Sequence, residues 1–411
     1  MRILLFSNWF PPIVSGSSYY TSSLARALTA RGHEAVVVTL DWGAEHPLPS
    51  DLPFPVYTLP GIKIPKLPMF YNLKLMGFAC TPRNKRRLRE IIRRHRIQVL
   101  HHVNHIFDST LLTASAARAE GIPVVGSITT PIQHENPVKQ WIMGVGDRAT
   151  VGLFGVRRWD GVVSLDRQVH RYVGNLYGQR AQQRSVVIPF GVRWESMPLY
   201  DHDGTTRSVD PQILMVGHIH PFRNPTQLVR AMPLVLKALP AARLVLAGRV
   251  DLKEPVDVAR NLGMTEAQVR FLGPTSHEQT VCLMKESHIF ASWASARYKG
   301  LGTAPMEAML CQTPVINDLP EDLFGEGKLK NGENIVLVDS RDPRSIAEAI
   351  IRLLSDDNLR QRIGAAGRRF VLENLGWEGI AEQMEHFYAQ VLSRHALTIG
   401  KEVPPEIETP R

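Results

Sequence analysis

The sequence has few of the features that mark secreted, membrane-spanning or zinc-binding proteins. No apolar run in its 411 residues approaches the roughly 20 needed to cross a bilayer. Its three cysteines, Cys80, Cys282 and Cys311, are far apart and odd in number. Such cysteines argue against a disulfide framework or a zinc site and favour a reducing, cytoplasmic compartment. The apolar start Ile3–Phe6 is too short for a signal peptide and is predicted to be a buried strand.

Acidic residues are also fewer than basic residues. The chain has 39 Asp and Glu residues against 48 Lys and Arg residues, which gives a net charge of +9. This charge predicts an anionic partner such as a phosphorylated small molecule, an acidic membrane surface or a nucleic acid. Aromatic residues do not interleave with the arginines, and no nucleic-acid-binding module is recognisable, so a nucleic-acid partner is not expected.

Short, continuously apolar segments alternate with helical patterns, which predicts parallel sheets covered by helices on both faces. The first series of strands is predicted at 3–6, 35–40, 98–101, 123–127, 161–164 and 185–188. A polar linker-like stretch follows, and a second series is predicted at 213–216, 243–247, 269–272, 314–317 and 335–338. The sequence therefore predicts two doubly wound α/β domains, 1–200 and 201–375. A helix at 376–395, expected to cross back to the N-terminal domain, and a polar tail at 396–411 follow.

Three stretches carry candidate chemistry, and the first follows strand 3–6. Gly16 and Ser17 lie where a turn leads into a helix. Free backbone N–H groups and the positive end of the helix dipole favour a phosphate there. The same residues are equally typical of a turn that needs glycine only for its conformation.

The second stretch opens the second domain. Gly217 follows a predicted strand, and His218 and Arg223 come just after it. The planar fork of donors on Arg223 suits a diphosphate. The alternative is a solvated loop with incidental cations.

The third stretch is the most informative. Gly300, Leu301, Gly302 and Thr303 precede Pro305, which is typical of the first turn of a helix. Glu307 is expected in that turn, where a carboxylate can accept two ribose hydroxyls. The alternative for a lone Glu is a partner for the helix dipole.

Together these stretches resemble the retaining glycosyltransferases of the GT-B fold, a family that includes bacterial mannosyl- and glucosyltransferases and sulfoquinovosyl-diacylglycerol synthases. The resemblance covers nearly the whole chain. It includes the Ala247-Gly248 turn, Ile188-Pro189-Phe190-Gly191-Val192, Thr313-Pro314-Val315 and Gly332-Glu333-Asn334.

The resemblance implies two Rossmann-like domains that face each other across a cleft. It also implies transfer of a sugar from a nucleotide-diphosphate donor with retention, without a metal or any cofactor beyond that co-substrate. The donor is expected mainly on the second domain, at the residues above and at Gly248. A lipid-linked or saccharide acceptor is expected mainly on the first.

The departures from the family fall at the polar centre of the site. His218 stands where the family has Arg, Arg223 where it has Lys, and Lys299 where it has Glu; Thr129 replaces a His in the first domain. Two alternatives follow. In one, the enzyme is active with an unusual donor, for example an anionic sugar beside Lys299. In the other, the protein has lost turnover and binds or regulates a partner. Lys299, Thr129 and His134 are the candidate catalytic residues.

Much of the positive charge lies at 62–96, where a lysine-bearing apolar stretch precedes an arginine-rich helix. In that helix, Leu88, Ile91 and Ile92 are predicted to pack inward. An apolar, cationic segment beside a polybasic helix suits docking on anionic lipids. The hypothesis is a peripheral enzyme on the inner face of the cell membrane, and its alternative is a solvated basic helix.

Overall fold

The computed structural model describes residues 1–13, 15–64, 76–105, 108–134, 136–153, 155–192, 207–295, 297–398 and 400. The chain forms two compact units. The first unit combines Met1–Gly191 with Trp377–Arg411, and the second is Val192–Gly376. The second unit therefore begins at Val192 rather than at residue 201.

A seven-stranded sheet in the order β3-β2-β1-β6-β7-β8-β9 forms the centre of the first unit. All of its neighbouring strands are parallel. The strands are β1 (Arg2–Ser7), β2 (Glu34–Asp41), β3 (Val56–Pro60), β6 (Val99–Val103), β7 (Val124–Ile128), β8 (Gly161–Ser164) and β9 (Ser185–Val187). Two further strands, β4 (Ile62–Ile64) and β5 (Met76–Phe78), form a separate antiparallel pair.

The first unit also contains α-helices, several of which cover the apolar strands of its sheet. They are α1 (Gly16–Ala30), α2 (Pro82–Arg94), α3 (Ser109–Glu120), α4 (Pro137–Asp147), α5 (Arg167–Tyr177), α6 (Gln179–Gln183) and α13 (Trp377–Thr398). A π-helical turn, Arg148–Gly152, and a 3-10 turn, Val156–Arg158, follow α4. On α2, Leu88, Ile91 and Ile92 are buried, which confirms the inward face predicted from their spacing. Helix α13 contributes Trp377, Met384 and Tyr388 to the core.

The second unit has a six-stranded parallel sheet in the order β12-β11-β10-β13-β14-β15. Its strands are β10 (Gln212–Val216), β11 (Arg243–Ala247), β12 (Val269–Gly273), β13 (Ile289–Ala291), β14 (Val315–Asn317) and β15 (Val336–Leu337). Its helices are α7 (Thr226–Ala238), α8 (Glu254–Asn261), α9 (His277–Glu286), α10 (Thr303–Leu310), α11 (Pro343–Ser355) and α12 (Asp357–Asn374). In the part of the chain that the model describes, no helix is both long and apolar enough to span a membrane.

Each sheet has one point where the strand order reverses. In the first unit β1 lies between β2 and β6, and in the second β10 lies between β11 and β13. Loops that leave the carboxyl ends of such neighbouring strands in opposite directions open a crevice, where ligands of doubly wound sheets bind. A ligand site is therefore expected at the carboxyl ends of β1 and β6, or of β10 and β13.

Candidate active site

In the second unit, Arg223 lies at the point where the strand order reverses. Its loop follows β10, and the backbone N–H of Ser295 in the loop after β13 donates to the carbonyl oxygen of Phe222. Burial lowers the pKa of the Arg223 guanidinium. Among the described residues, no carboxylate forms an ion pair with it. Since desolvation of a cation is costly without a counter-charge, an anion bound here would stabilise it.

Close backbone packing positions this guanidinium. The Gly217 N–H donates to the carbonyl oxygen of Ala247 at 2.9 Å. A Cβ added at Gly217 would lie 2.6 Å from Nη1 of Arg223. A Cβ added at Gly248 would overlap the carbonyl oxygen of Gly217, and Gly248 has φ +145°, a conformation that other residues rarely adopt. The two glycines therefore allow two loops and one cation to share a small space.

Helix α10 brings a second anion-binding element to the same place. Gly302 precedes its first residue with φ +74°, and a Cβ added there would lie 3.9 Å from Nη2 of Arg223. The first N–H groups of a helix have no partner within it, so they and the helix dipole favour negative charge. The guanidinium of Arg223 and the first N–H groups of α10, both of which favour an anion, therefore lie close together.

Glu307 lies on α10 and is 8% exposed. Its Oε1 is 3.2 Å from Nε2 of His277, the first residue of α9. Helix α10 begins at Thr303, so Glu307 is the fifth helical residue, and its predicted place in the first turn is wrong. Gly302, whose φ is positive, is the last residue of the loop, so the helix begins at Thr303, two residues before Pro305. The proline had indicated a later start.

Lys299 forms an ion pair with Asp318, which follows β14. The Lys299 side chain is 26% exposed and that of Asp318 is 17% exposed. Asp318 also accepts hydrogen bonds from the backbone N–H and the hydroxyl of Ser340. The lysine that replaces the family's glutamate is therefore neutralised inside the second unit.

The other predicted residues of this loop differ in how much they expose. Leu301 is buried, so its side chain contributes packing and only its backbone is available to a ligand. Gly302 and Thr303 are exposed, and Gly300 and His218 are half-buried.

In the first unit, several polar groups at the corresponding edge are hydrogen-bonded to neighbouring protein groups. Gly16 and Ser17 lie inside the first turn of α1, which begins earlier than predicted because Ser15 caps it by accepting from the Ser18 N–H. The Ser17 hydroxyl accepts from Nδ2 of Asn104 at 3.0 Å and is buried. Gly16 is exposed. Of this pair, Gly16 is the one whose backbone a ligand can reach.

The neighbouring histidines are part of the core. His101 bonds to the Tyr388 hydroxyl through Nδ1 and to the Ser127 hydroxyl through Nε2. Nε2 of His102 donates to the carbonyl oxygen of Asn104 at 2.9 Å. Burial lowers the pKa of each histidine to about 3. Both are therefore neutral packing residues at physiological pH.

Thr129 and His134 follow β7 and are half-buried. The backbone N–H of His134 donates to Oε1 of Gln140, and its Nδ1 accepts from the Asn136 N–H at 3.0 Å. The proton of the neutral ring is thus on Nε2, which is the nitrogen available to donate to a ligand. Among the residues the model describes, no group of three or more His, Cys, Asp or Glu side chains is arranged to hold a metal ion.

Two family models together match most of the chain. "Glycosyltransferase Family 4" matches residues 14–195, and "Glycosyl transferases group 1" matches residues 201–370. The phosphatidyl-myo-inositol mannosyltransferase of Mycobacterium leprae is 24% identical over 397 residues, which are 95% of this chain and 97% of that protein. The chain belongs to the glycosyltransferases that these two family models together describe.

Solved structures show the same GT-B fold. Sucrose-phosphate synthase from Thermosynechococcus elongatus superposes with a TM-score of 0.69 at 20% identity and covers 96% of this chain and 99% of that one. Anabaena HepE, solved in complex with UDP and glucose, gives 0.65 at 17% identity and covers 96% and 100%. The two α/β units described above are therefore the two domains of a GT-B glycosyltransferase.

Two polar residues of this glycosyltransferase were missed by sequence reasoning. His277 and Asp318 reach the site as partners of Glu307 and Lys299. One signal was present for His277: Ser276 and Gln279 form a capping box that fixes the start of α9 and so places His277 at the carboxyl edge of the sheet. Asp318 carried the weaker signal of a carboxylate just after a strand.

Proposed function

We propose that this glycosyltransferase transfers a hexosyl group from a nucleotide-diphosphate sugar, with retention and without a metal, to a membrane-presented or lipid-linked acceptor. The observation that carries the donor class is the desolvated guanidinium of Arg223, which has no carboxylate partner among the described residues and lies beside the start of α10. A diphosphate supplies the negative charge that both elements lack, and bidentate geometry suits the arginine fork. Retention rests on the family resemblance alone.

Glu307 is the proposed ribose ligand of the donor. It is a buried carboxylate on the helix whose first turn would hold the diphosphate. Its contact with His277 leaves Oε2 to accept from a hydroxyl. His218, Gly217, Gly248 and the segment 300–303 complete the proposed donor site.

The ion pair at Lys299 bears on the choice of sugar. Because Asp318 already neutralises the ammonium group, a uronic acid carboxylate would gain little net attraction there. The proposed donor sugar is therefore a neutral hexose. Lys299, with Thr129 and His134 in the first unit, remains a proposed catalytic-site residue.

The proposed membrane contact includes 62–96. Residues 65–75 lie outside the described part of the chain, but the strands on either side of them pair, with Ile62 opposite Phe78 and both side chains exposed. On α2, Arg89 and Arg93 pair with Glu120, whereas Arg86 and Arg87 are exposed. This segment supports docking on the acidic inner face of the cell membrane.

Thermal unfolding of the full chain against a panel of nucleotides and nucleotide sugars, without added metal, tests the donor. We expect one sugar nucleotide to raise the unfolding temperature more than its bare nucleotide does. A larger shift with a uronic acid donor would contradict the neutral hexose, and no shift with any donor would contradict the nucleotide site. NMR of the anomeric proton in freshly formed product tests retention, which an inverted product would disprove.

A further inference from the structure

Helix α4 exposes an apolar face. Val138, Trp141, Ile142 and Val145 follow the spacing of one helical face and are 64%, 69%, 51% and 48% exposed. We call these four residues the α4 apolar face. A surface helix normally buries such a face and turns its polar side to water, so this face calls for a covering partner.

The opposite side of α4 is polar and fixed to the first unit. The carboxylate of Asp147 is buried and accepts from the hydroxyls of Tyr172 and Tyr177 at 3.0 and 2.5 Å. One turn from the other end, Nε2 of Gln140 donates to the carbonyl oxygen of Ile132. Rotation of the helix to bury its apolar face would break these bonds and expose Asp147's partners. The outward orientation is therefore held by specific contacts at both ends.

The segment that carries this face, residues 136–158, has more cationic than anionic side chains, and Glu135 directly precedes it. Lys139, Arg148 and Arg157 are exposed. Between residues 136 and 158 the sequence has a single carboxylate, Asp147, and that group is buried on the inner side. An apolar stripe with a tryptophan and a cationic rim complements the boundary between anionic headgroups and acyl chains.

We propose that the α4 apolar face docks on an anionic lipid bilayer, with Trp141 and Ile142 inserted at the level of the headgroups. A second copy of the chain is a poorer occupant, because a two-fold contact would set the same cations against one another. This surface lies outside 62–96, and its docking requires neither donor nor turnover, so it can be tested apart from the proposed function.

Flotation of the full chain with vesicles of phosphatidylglycerol and phosphatidylcholine is the first test. Trp141→Ser with Ile142→Ser should reduce vesicle-bound protein by about tenfold or more, since two inserted apolar side chains are lost. Leu397→Ser is the matched control, because Leu397 is an exposed apolar residue of the same unit. Vesicles of phosphatidylcholine alone should bind less of the unmodified chain. Equal flotation of the double variant and the wild type would overturn the proposal, and would leave 62–96 as the proposed contact.

Quenching by brominated lipids locates the contact. Trp9, Trp42, Trp159, Trp293 and Trp377 are buried. Trp194 lies outside the described residues, so the measurement uses a Trp194→Phe background, in which Trp141 should account for most of the quenched fluorescence. Trp141→Phe should still float with the vesicles but lose most of that quenching. If Trp141→Phe floated and its fluorescence were quenched as strongly as that of the Trp194→Phe background, insertion of α4 would be overturned. A concentration-dependent dimer that the double variant abolishes would assign the face to a second copy and overturn the lipid proposal.

Discussion

The carboxyl edges of the two sheets use their polar residues in opposite ways. In the first unit, Ser17, His101 and His102 are buried and bonded to neighbouring protein groups. In the second unit, Arg223 is desolvated without a carboxylate partner among the described residues, and it lies beside the start of α10. The bonded groups of these three residues at the first edge therefore stabilise the fold. At the second edge, Arg223 would be stabilised by a bound anion.

This difference has a consequence for mutation. Removing a buried, bonded group leaves its partner unsatisfied and costs stability. Removing an unpaired, desolvated cation relieves a cost in the free protein and weakens binding of an anion instead. We therefore expect changes at the second edge to separate into binding and stability effects according to whether the residue already has a protein partner.

The largest effect is expected for Arg223→Met. Loss of the guanidinium should reduce kcat/KM for the nucleotide-sugar donor by roughly 100-fold or more, since charge-assisted hydrogen bonds to a diphosphate contribute a few kcal/mol. Stability should be unchanged or slightly higher, which unfolding experiments would measure. Arg249→Met is the matched control, because Arg249 is an exposed cation that is already paired with Asp251. A loss of stability without a loss of donor binding would contradict the comparison.

A second effect tests how much a glycine of the proposed donor site contributes to stability. Gly248→Ala places a Cβ against the Gly217 carbonyl oxygen at φ +145°. The combined overlap and backbone strain should destabilise the second unit by about 3 kcal/mol. Gly263→Ala, at φ +68° with no heavy atom near the added Cβ, should cost only about 1 kcal/mol. Hydrogen exchange in β10 and β11 would measure both, and equal costs would show that the packing is looser than described.

The sequence predicted the sheets better than it predicted the site. Continuous apolar runs indicate parallel strands because both faces of such strands are buried. Four strands were missed: β3 and β13 of the parallel sheets, and the short antiparallel pair β4 and β5. Ile289–Ala291 is only three residues long, and Val56–Pro60 mixes exposed and buried positions. Gly217 and Arg223 were found from their places after a predicted strand, and Gly300 and Gly302 were found from their places before a predicted helix start at Pro305.

The partners of the site residues were not predictable in the same way. His277 and Glu307 are 30 residues apart, and Lys299 and Asp318 are 19 apart. These pairs meet because β13 lies beside β14 and α10 lies beside α9, which depends on the strand order. Periodicity does not give strand order, so Lys299 was identified from the sequence without the carboxylate that neutralises it.

The Lys299–Asp318 pair offers a third, smaller test. Lys299→Glu restores the family's residue type but sets two carboxylates together, so we expect donor kcat/KM to fall by about tenfold. Lys299→Glu with Asp318→Lys re-creates an ion pair of reversed orientation and should recover part of that loss. Steady-state kinetics of the two variants and of Asp318→Asn would measure the coupling. An additive loss in the double variant would mean that the pair does not act as a unit.

The smallest effect concerns acid stability of the first unit. His101 has a pKa of about 3 in the folded protein against an ordinary value of 6.5. Its contribution to stability is therefore complete above about pH 6.5. That contribution is lost as the pH falls, because the unfolded chain binds a proton that the native ring does not. Between about pH 6.5 and 5.5, proton binding by His101 in the unfolded chain should lower the free energy of unfolding by about 1 kcal/mol. His101→Gln should be less stable at neutral pH yet show a shallower acid slope than the wild type. Hydrogen exchange in β1 and β6 across this pH range would measure the slope for the first unit alone.

His386→Gln, at an exposed histidine of the same unit, should keep the wild-type slope. If His101→Gln kept it as well, the His101 ring would have to bind a proton in the folded protein, and its bonds to Tyr388 and Ser127 would not keep it neutral.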